Sequence, residues 1–373
     1  MSRGAVVLHA VRSALQDYCV LPSATALDAI TLWTALTHVS GAFDFAPRLV
    51  IKSVEKRSGK TRVLEVIDGM SHDPIRLVNA SVAYLFRRVE LADEVPPTLL
   101  LDEADALFGS PRQAERNEDL RGLLNSGFQR GVVYGRVEGR SLQPREYRTF
   151  AMAALAGIGD LPDTIEDRAV VIRIKRRGPG EVVKPFRSRD GGARLGRVRD
   201  ELSEWLADKG DVLAELRPDL PVHDRAADVW EPLTCIAHLA GEDWPTRARG
   251  AALELTAMQY QSSVESSFAS RLLNDIRHVF RSLDNPKSVP TAFLLDRLSA
   301  LDEAPWRTLN GSGLDARTLS RRLAPFDVRP VSVRVGTDIV RGYRLSDLID
   351  AWTRYLEPDG VTAATSATSV PLL

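Results

Sequence analysis

The chain has 373 residues, of which 44% are hydrophobic and 27% charged, with a net charge of −1 and two cysteines. These values fit a globular protein of two or three domains, and they exclude a global basic field as the basis of nucleic-acid binding. Cys19 and Cys235 have neither metal-ligand nor disulfide spacing, which predicts a reducing, cytoplasmic setting. No apolar run reaches membrane-spanning length, so a membrane partner is not expected.

Residues 1–45 are predicted to form two helices, over 5–20 and 25–39, because apolar residues recur there at helical spacing. Ser23 begins a capping signal for the second of these helices. The first stretch is amphipathic rather than signal-like. We expect both helices to pack on the domain that follows.

The strongest motif lies at residues 48–61, RLVIKSVEKRSGKT, in the predicted core domain 46–177. An apolar strand, a polar turn and a Gly-Lys-Thr that opens a helix form the order of a phosphate-binding loop. Lys60 is expected to reach the terminal phosphates of ATP, and Thr61 to place its hydroxyl on Mg²⁺. One position departs from the pattern, since Val54 stands where glycine is expected. The predicted nucleotide contacts are Ser53, Glu55, Lys56, Arg57, Ser58, Gly59, Lys60 and Thr61.

A second motif, PTLLLDEAD at residues 97–105, is typical of a buried strand of a parallel sheet that ends in acidic residues. Ligands bind at the carboxyl ends of such strands. Asp102 is therefore predicted to hold Mg²⁺ and Glu103 to polarise the attacking water. The alternative is a strand followed by a helix whose amino end favours acidic residues through its dipole.

A basic hairpin is predicted from strands at 132–137 and 145–150, with Arg136 and Arg140 near its turn. Hairpins in this position of ring-shaped helicases grip single-stranded nucleic acid. A solvated basic hairpin is the competing interpretation.

The segment 157–177, GIGDLPDTIEDRAVVIRIKRR, predicts a strand, a turn with a short helix, and another strand. In oligomeric ATPases this pattern carries an arginine that stabilises the γ-phosphate of a neighbouring subunit, and Arg168 is the candidate. Asp167 and Arg168 could instead form a cap and a local ion pair. The strand at 153–156 lacks the polar residue expected at its end, which argues against a standard sensing mechanism.

Residues 178–196 are predicted to be a linker because they are rich in glycine, proline and arginine. Residues 197–285 follow as a helical lid, with helices at 198–209, 224–240, 245–260 and 264–283. Arg225 could sense nucleotide from this lid, although an ion pair with Asp228 is the favoured interpretation.

Residues 286–356 have the order of a winged helix, in which the second helix enters the major groove of DNA. Arg317, Arg321 and Arg322 are the predicted DNA contacts on that helix. A protein-docking role is the alternative. The polar residues 357–373 are predicted to be disordered.

Taken together, these blocks resemble a family of P-loop ATPases described mainly as a domain of unknown function. Its members occur in phages, prophages and plasmids, and some are fused to a primase-polymerase. The resemblance covers about residues 20–356, and WEPL with AGEDWP is its most specific block. It implies a helicase-like or initiator-like replication ATPase. It carries over to Lys60, Thr61, Asp102 and Glu103, and less directly to Arg168; any primase is expected to be a separate partner.

The expected fold is therefore an α/β P-loop NTPase of the AAA+ or helicase-like kind, with a helical lid and a C-terminal winged helix. The leading function is an Mg²⁺-dependent ATPase that forms a ring, expected to be a hexamer, and acts on DNA in mobile-element replication. One alternative is a nucleotide-controlled switch or loader that assembles with a partner protein without translocating. Another is a non-hydrolytic DNA-binding scaffold.

Overall fold

The structure of the protein, a computed structural model, describes residues 1–77, 82–108, 117–138, 143–159, 161–301, 304–307, 309, 313–335 and 338–356. Contacts divide the chain into two units, residues 1–259 and 260–373. This division lies inside the predicted helical lid of residues 197–285.

The first unit alternates helices and strands in its amino-terminal two thirds and is helical thereafter. In chain order its elements are α1 (Arg3–Tyr18), α2 (Ala24–Leu36), β1 (Arg48–Ser53), α3 (Lys60–Asp68), β2 (Pro74–Leu77), α4 (Val82–Glu90), β3 (Thr98–Leu101), α5 (Ala104–Phe108), α6 (Glu118–Ser126), β4 (Val133–Glu138), β5 (Gln143–Arg148), β6 (Ala153–Ile158), α7 (Asp163–Glu166), β7 (Ala169–Arg173), α8 (Ser188–Leu206), α9 (Gly210–Glu215), α10 (Asp224–Ala240) and the first part of α11 (Trp244–Ser282).

Five of these strands form one parallel sheet in the order β2-β3-β6-β1-β7. Every β1 residue is buried, as expected for a central strand covered on both faces. Its neighbours pair in parallel, with Arg48 opposite Ala153 on one side and Ala169 on the other. The mixed α/β class with a parallel sheet is confirmed.

Two apolar clusters cover the two faces of the sheet. Leu49 and Ile51 face a cluster that includes Trp33 and residues of α8 and α10. The Trp33 indole Nε1 donates to Pro47 O at 2.8 Å. Val50 faces the other cluster, with residues of α4, α5 and α6. Alternate residues of β1 thus anchor both layers.

Helix starts in the first unit follow the sequence signals, whereas two helices differ from the predicted bounds. The Ser23 hydroxyl accepts a hydrogen bond from Ala26 N at 3.1 Å, which confirms the predicted cap. Helix α8 begins at Ser188, inside the predicted linker 178–196, because Leu195, Val198 and Leu202 bury their side chains in the core. Packing there outweighs the low helix propensity of its glycines.

Helix α11 is continuous over 39 residues, where two helices were predicted. The predicted gap at residues 261–263 contains neither proline nor glycine, so nothing there interrupts the helix. Among the described helices, none is long and apolar enough to cross a membrane.

The second unit combines a small sheet with short helices. After the end of α11 it contains β8 (Ser288–Pro290), α12 (Thr291–Ser299), α13 (Ala316–Leu323), β9 (Val331–Val335), β10 (Asp338–Arg344) and α14 (Leu345–Tyr355). The antiparallel sheet has the order β8-β10-β9. Trp306 is fully buried in its core, and its Nε1 donates to Asp275 at 2.7 Å.

The buried His38 makes stability pH-dependent. Its Nε2 lies 2.8 Å from Met70 O and its Nδ1 2.9 Å from Ser203 Oγ, an arrangement that suits a neutral ring donating through Nε2. Burial lowers the pKa of His38 to about 4.

We therefore expect acid to weaken the fold through His38. The unfolded chain takes up a proton below its pKa near 6.5 and the folded chain does not, so the contribution is complete above that pH. It should fall by roughly 2–3 kcal/mol between about pH 7 and pH 4.5. Urea unfolding of wild type and His38→Gln at both pH values measures this, and equal pH dependence in the two proteins would contradict it.

Candidate functional site

The predicted phosphate-binding motif adopts the expected strand, turn and helix. β1 ends at Ser53, α3 begins at Lys60, and Gly59 between them has a φ of 95°, in the left-handed region that favours glycine. A side chain at Gly59 would meet no atom within 4 Å, so it is the backbone conformation that requires glycine there.

The loop explains why valine is tolerated at position 54. Val54 is not among the residues with positive φ, and its side chain is 88% exposed. The second left-handed residue of the loop is instead Arg57, with a φ of 62°. The departure from the usual pattern therefore costs no backbone strain at Val54.

Lys60 is held over the end of β1 by serine hydroxyls. Its Nζ donates to Ser53 Oγ at 2.6 Å and to Ser58 Oγ at 3.3 Å, and these hydroxyls lie 2.9 Å apart. Partial burial lowers the pKa of Lys60, while Asp105 and Asp102 act in the opposite direction. The two carboxylates therefore lie close enough to Lys60 for their fields to act on its ammonium group.

Asp102 and Glu103 follow β3, at the same carboxyl edge of the sheet as Ser53. Asp102 Oδ1 accepts from Glu103 N at 3.0 Å, and Arg76 lies 3.7 Å from its other oxygen. Glu103 is exposed and has a φ of 55°. A left-handed conformation at a residue other than glycine costs on the order of 1–3 kcal/mol and is enriched at functional sites.

Asp105 is a member of this site that sequence reasoning missed. Its Oδ1 accepts from Ile158 N at 2.9 Å and so joins the acidic motif to the end of β6. A Cβ at Gly157 would lie 3.1 Å from Asp105 N, which favours glycine at that position of the strand. The second aspartate of the DEAD motif could have indicated this residue, but its partner Ile158 lies 53 positions away in the sequence.

The carboxyl edge offers carboxylate and hydroxyl oxygens of the kind that Mg²⁺ prefers. Asp102 is half-buried and Thr61 is exposed at the second residue of α3. No group of three or more His, Cys, Asp or Glu side chains in the described part of the chain is arranged to hold a metal by itself. Mg²⁺ is usually bound by one or two side chains together with substrate phosphates, so the residues present fit that ion.

A buried ion pair joins β1 to α7. Lys52 Nζ lies 2.7 Å from both carboxylate oxygens of Glu166, and these side chains are only 5% and 13% exposed. Glu166 also accepts from Leu161 N at 2.9 Å. The pair fixes the turn that leads to Arg168.

Arg168 lies at the amino ends of the parallel strands, whereas Lys60 lies at their carboxyl ends. Its carbonyl accepts from Arg48 N at 2.9 Å at the start of β1, whereas Lys60 follows the other end of that strand. Six extended residues separate these ends by roughly 16 Å. The Arg168 guanidinium donates to Thr164 O at 2.6 Å and is partly exposed. Arg168 is therefore too far away to act on a nucleotide held by Lys60 of its own chain.

Arg225 shares an aromatic contact with Arg168. Their guanidinium carbons lie 5.5 and 5.9 Å from the centroid of Phe128. Arg225 also pairs with Asp228 at 3.0 Å, which confirms the favoured interpretation of that residue. Burial and the charge of Arg225 lower the pKa of Arg168.

The predicted hairpin is present, as β4 and β5 pair in antiparallel fashion with Arg136 opposite Arg145. Arg140 lies outside the described residues, as does the tail 357–373. On α13, Arg317 and Arg321 are exposed, whereas the Arg322 guanidinium lies 5.8 Å from the Phe268 ring centroid.

Comparisons with known proteins identify the family of this α/β chain. A family model described as protein of unknown function (DUF3631) matches residues 173–355. An uncharacterized 28.9 kDa protein in the xis 5′ region of Saccharopolyspora erythraea is 42% identical over 204 residues, which are 52% of this chain and 76% of that protein. The chain therefore belongs to this family. The family description names no activity, which agrees with the expected resemblance to a domain of unknown function.

Two solved structures align with low scores. The apo C-terminal region of NrS-1 is 11% identical, with a TM-score of 0.31, over 91% of this chain and 74% of that one. The Drosophila ORC bound to DNA is 13% identical, with a TM-score of 0.25, over 92% and 91%. Scores this low do not support a shared fold.

We expect Glu166→Gln to destabilise the first unit by about 3 kcal/mol, because the glutamine can still accept from Leu161 N but removes a carboxylate charge that lies 2.7 Å from the buried Lys52 ammonium group. Adding Lys52→Met should recover most of this loss, since the buried ammonium group that the carboxylate stabilised is then gone. Urea unfolding of the single and double variants measures the difference. A double variant as unstable as Glu166→Gln would contradict this role of the pair.

Proposed function

We propose that this protein is an Mg²⁺-dependent ATPase that assembles into a hexameric ring and acts on DNA. The arrangement of Lys60 carries the proposal. Its ammonium group lies at the amino end of α3, over the carboxyl end of a central parallel strand, in the field of Asp102 and Asp105. Helix amino ends and lysine together favour the terminal phosphates of a nucleotide.

Each of the residues at the carboxyl ends of β1 and β3 then has a chemical role. Lys60 binds the β- and γ-phosphates, and Gly59 allows the backbone to approach them. Thr61 and Asp102 hold Mg²⁺, which supplies neutralisation of the charge on the transferring phosphoryl group. Glu103 orients the attacking water and accepts its proton, and its exposed position at the sheet edge leaves it open to solvent.

The position of Arg168 supports action between subunits. An arginine at the opposite edge of the sheet from its own Lys60 can stabilise a γ-phosphate only in a neighbouring copy of the chain. This favours an oligomer in which the edge of one copy that carries Arg168 faces the edge of the next that carries Lys60.

Contact with DNA is proposed for the second unit. A helix followed by a two-stranded β9–β10 hairpin has the order of a winged helix, with α13 as its second helix. Arg317 and Arg321 are exposed on α13 and one turn apart, which suits phosphate contacts.

We expect two substitutions at the proposed nucleotide site to affect ATP binding and ATP hydrolysis differently. Lys60→Ala should weaken ATP binding at least tenfold, because it removes the phosphate contact, whereas Glu103→Gln should bind ATP normally and hydrolyse it about 10²–10⁴-fold more slowly. Calorimetry measures binding and phosphate release measures hydrolysis. Lys209→Ala, at a surface ion pair with Asp208, is the control. Normal hydrolysis by Lys60→Ala would overturn the proposed site.

Arg168→Ala should retain ATP binding and lose about 10³-fold in hydrolysis, because the lost charge acts only in the transition state. Mixing Arg168→Ala with Glu103→Gln should restore activity. The first variant supplies an intact Glu103 at the nucleotide site, and the second supplies an intact Arg168. Normal hydrolysis by Arg168→Ala alone would contradict its role, and a mixture as inactive as its components would contradict action between subunits.

A further inference from the structure

A cavity of about 620 Å³ lies directly beside the phosphate-binding loop. One wall is the carboxyl end of α1 with the residues after it, another is residues 57–59 with Arg62 of α3, and the third is formed by residues 176–177 and 183–186. Part of the predicted linker 178–196 is thus a wall of this cavity. Its volume is in the range of small-molecule sites.

The charge of the cavity favours an anion. Within the described residues, five cationic side chains line it and no acidic one does: Arg57, Arg62, Arg176, Arg177 and Lys184. Three of these cations pair with carboxylates that do not line the cavity, namely Glu65, Glu55 and Asp17. The lining is therefore held in place and remains rich in hydrogen-bond donors.

The cavity also contains a platform for a planar ring. Phe186 packs edge-on against Tyr18, with ring centroids 5.1 Å apart, and the Arg62 guanidinium lies 4.7 Å from the Phe186 centroid. Aromatic rings and arginine planes are the surfaces on which nucleobases stack. Arg62 follows Lys60 by two residues, so this platform and the phosphate-binding loop begin on the same turn of α3.

The wall that carries Phe186 is tied to α1. Lys184 N donates to Asp17 O at 2.7 Å, the Lys184 ammonium lies 3.0 Å from the Asp17 carboxylate, and Arg194 of α8 donates to the same carboxylate. These contacts hold residues 183–186 across the cavity.

We propose that this cavity is the nucleoside subsite, in which the base of a nucleoside triphosphate stacks on the platform of Phe186 and Arg62. The inference rests on the proposed function, because the triphosphate is the part that Lys60 and Gly59 hold. The alternative is that a polyphosphate without a base fills the cationic cavity, and the test must distinguish these two occupants.

The test compares two ligands that share the triphosphate, the non-hydrolysable ATP analogue AMP-PNP and inorganic tripolyphosphate, by calorimetry on the full chain. Phe186→Ala and Phe186→Leu should each weaken AMP-PNP binding about tenfold, the loss of one stacking contact, and leave tripolyphosphate within twofold. The leucine variant preserves apolar packing against Gly191, so equal losses in both variants assign the effect to the ring. Val182→Ala, an 87% exposed residue of the same segment, is the control and should change neither constant.

Two results would overturn the subsite while the phosphate site remains. Phe186 variants that bind AMP-PNP as wild type does would exclude stacking, and variants that lose both ligands equally would show that Phe186 only supports the loop. A wild-type protein that binds neither ligand would overturn the proposed function and the subsite with it.

Discussion

The structure depends on the burial of β1 together with its two cations. Arg48 is 1% exposed at the start of this strand, and its guanidinium donates to the carbonyls of Ala46, Leu124 and Ala151. Burial and the nearby charge of Arg168 lower the pKa of Arg48 to about 9. Near the other end, Lys52 is paired with Glu166. Because a buried charge without partners costs several kcal/mol, these contacts fix the ends of α6 and α7 against the strand.

The same strand separates the two parts of the proposed chemistry. Its carboxyl end supports Lys60 and faces the carboxylates after β3, whereas its amino end is bonded to the backbone of Arg168. A rigid, fully buried strand does not bring these ends together. The role proposed for Arg168 consequently needs a second copy of the chain, because the strand holds this arginine away from Lys60 of its own copy.

Local patterns predicted the elements of the site well, since strand β1, the Gly59 turn, helix α3 and the β4–β5 hairpin follow from neighbouring residues. What failed were features decided by distant contacts. The start of α8 at Ser188 depends on its packing into the core, and the roles of Asp105 and Glu166 depend on partners 53 and 114 positions away. A single sequence does not show which distant residues pair, nor does it show the contact with Phe268 that holds the Arg322 guanidinium.

Steady-state ATP hydrolysis by the unmodified chain, with Mg²⁺ and with or without single-stranded DNA, tests the central claim most directly. An ATPase that acts on DNA through its second unit should release phosphate from ATP, and DNA should raise the rate. The rise should diminish steeply with added salt, because phosphate contacts release counterions. No phosphate release in either condition would contradict the assignment of Lys60, Asp102 and Glu103 to a hydrolytic site.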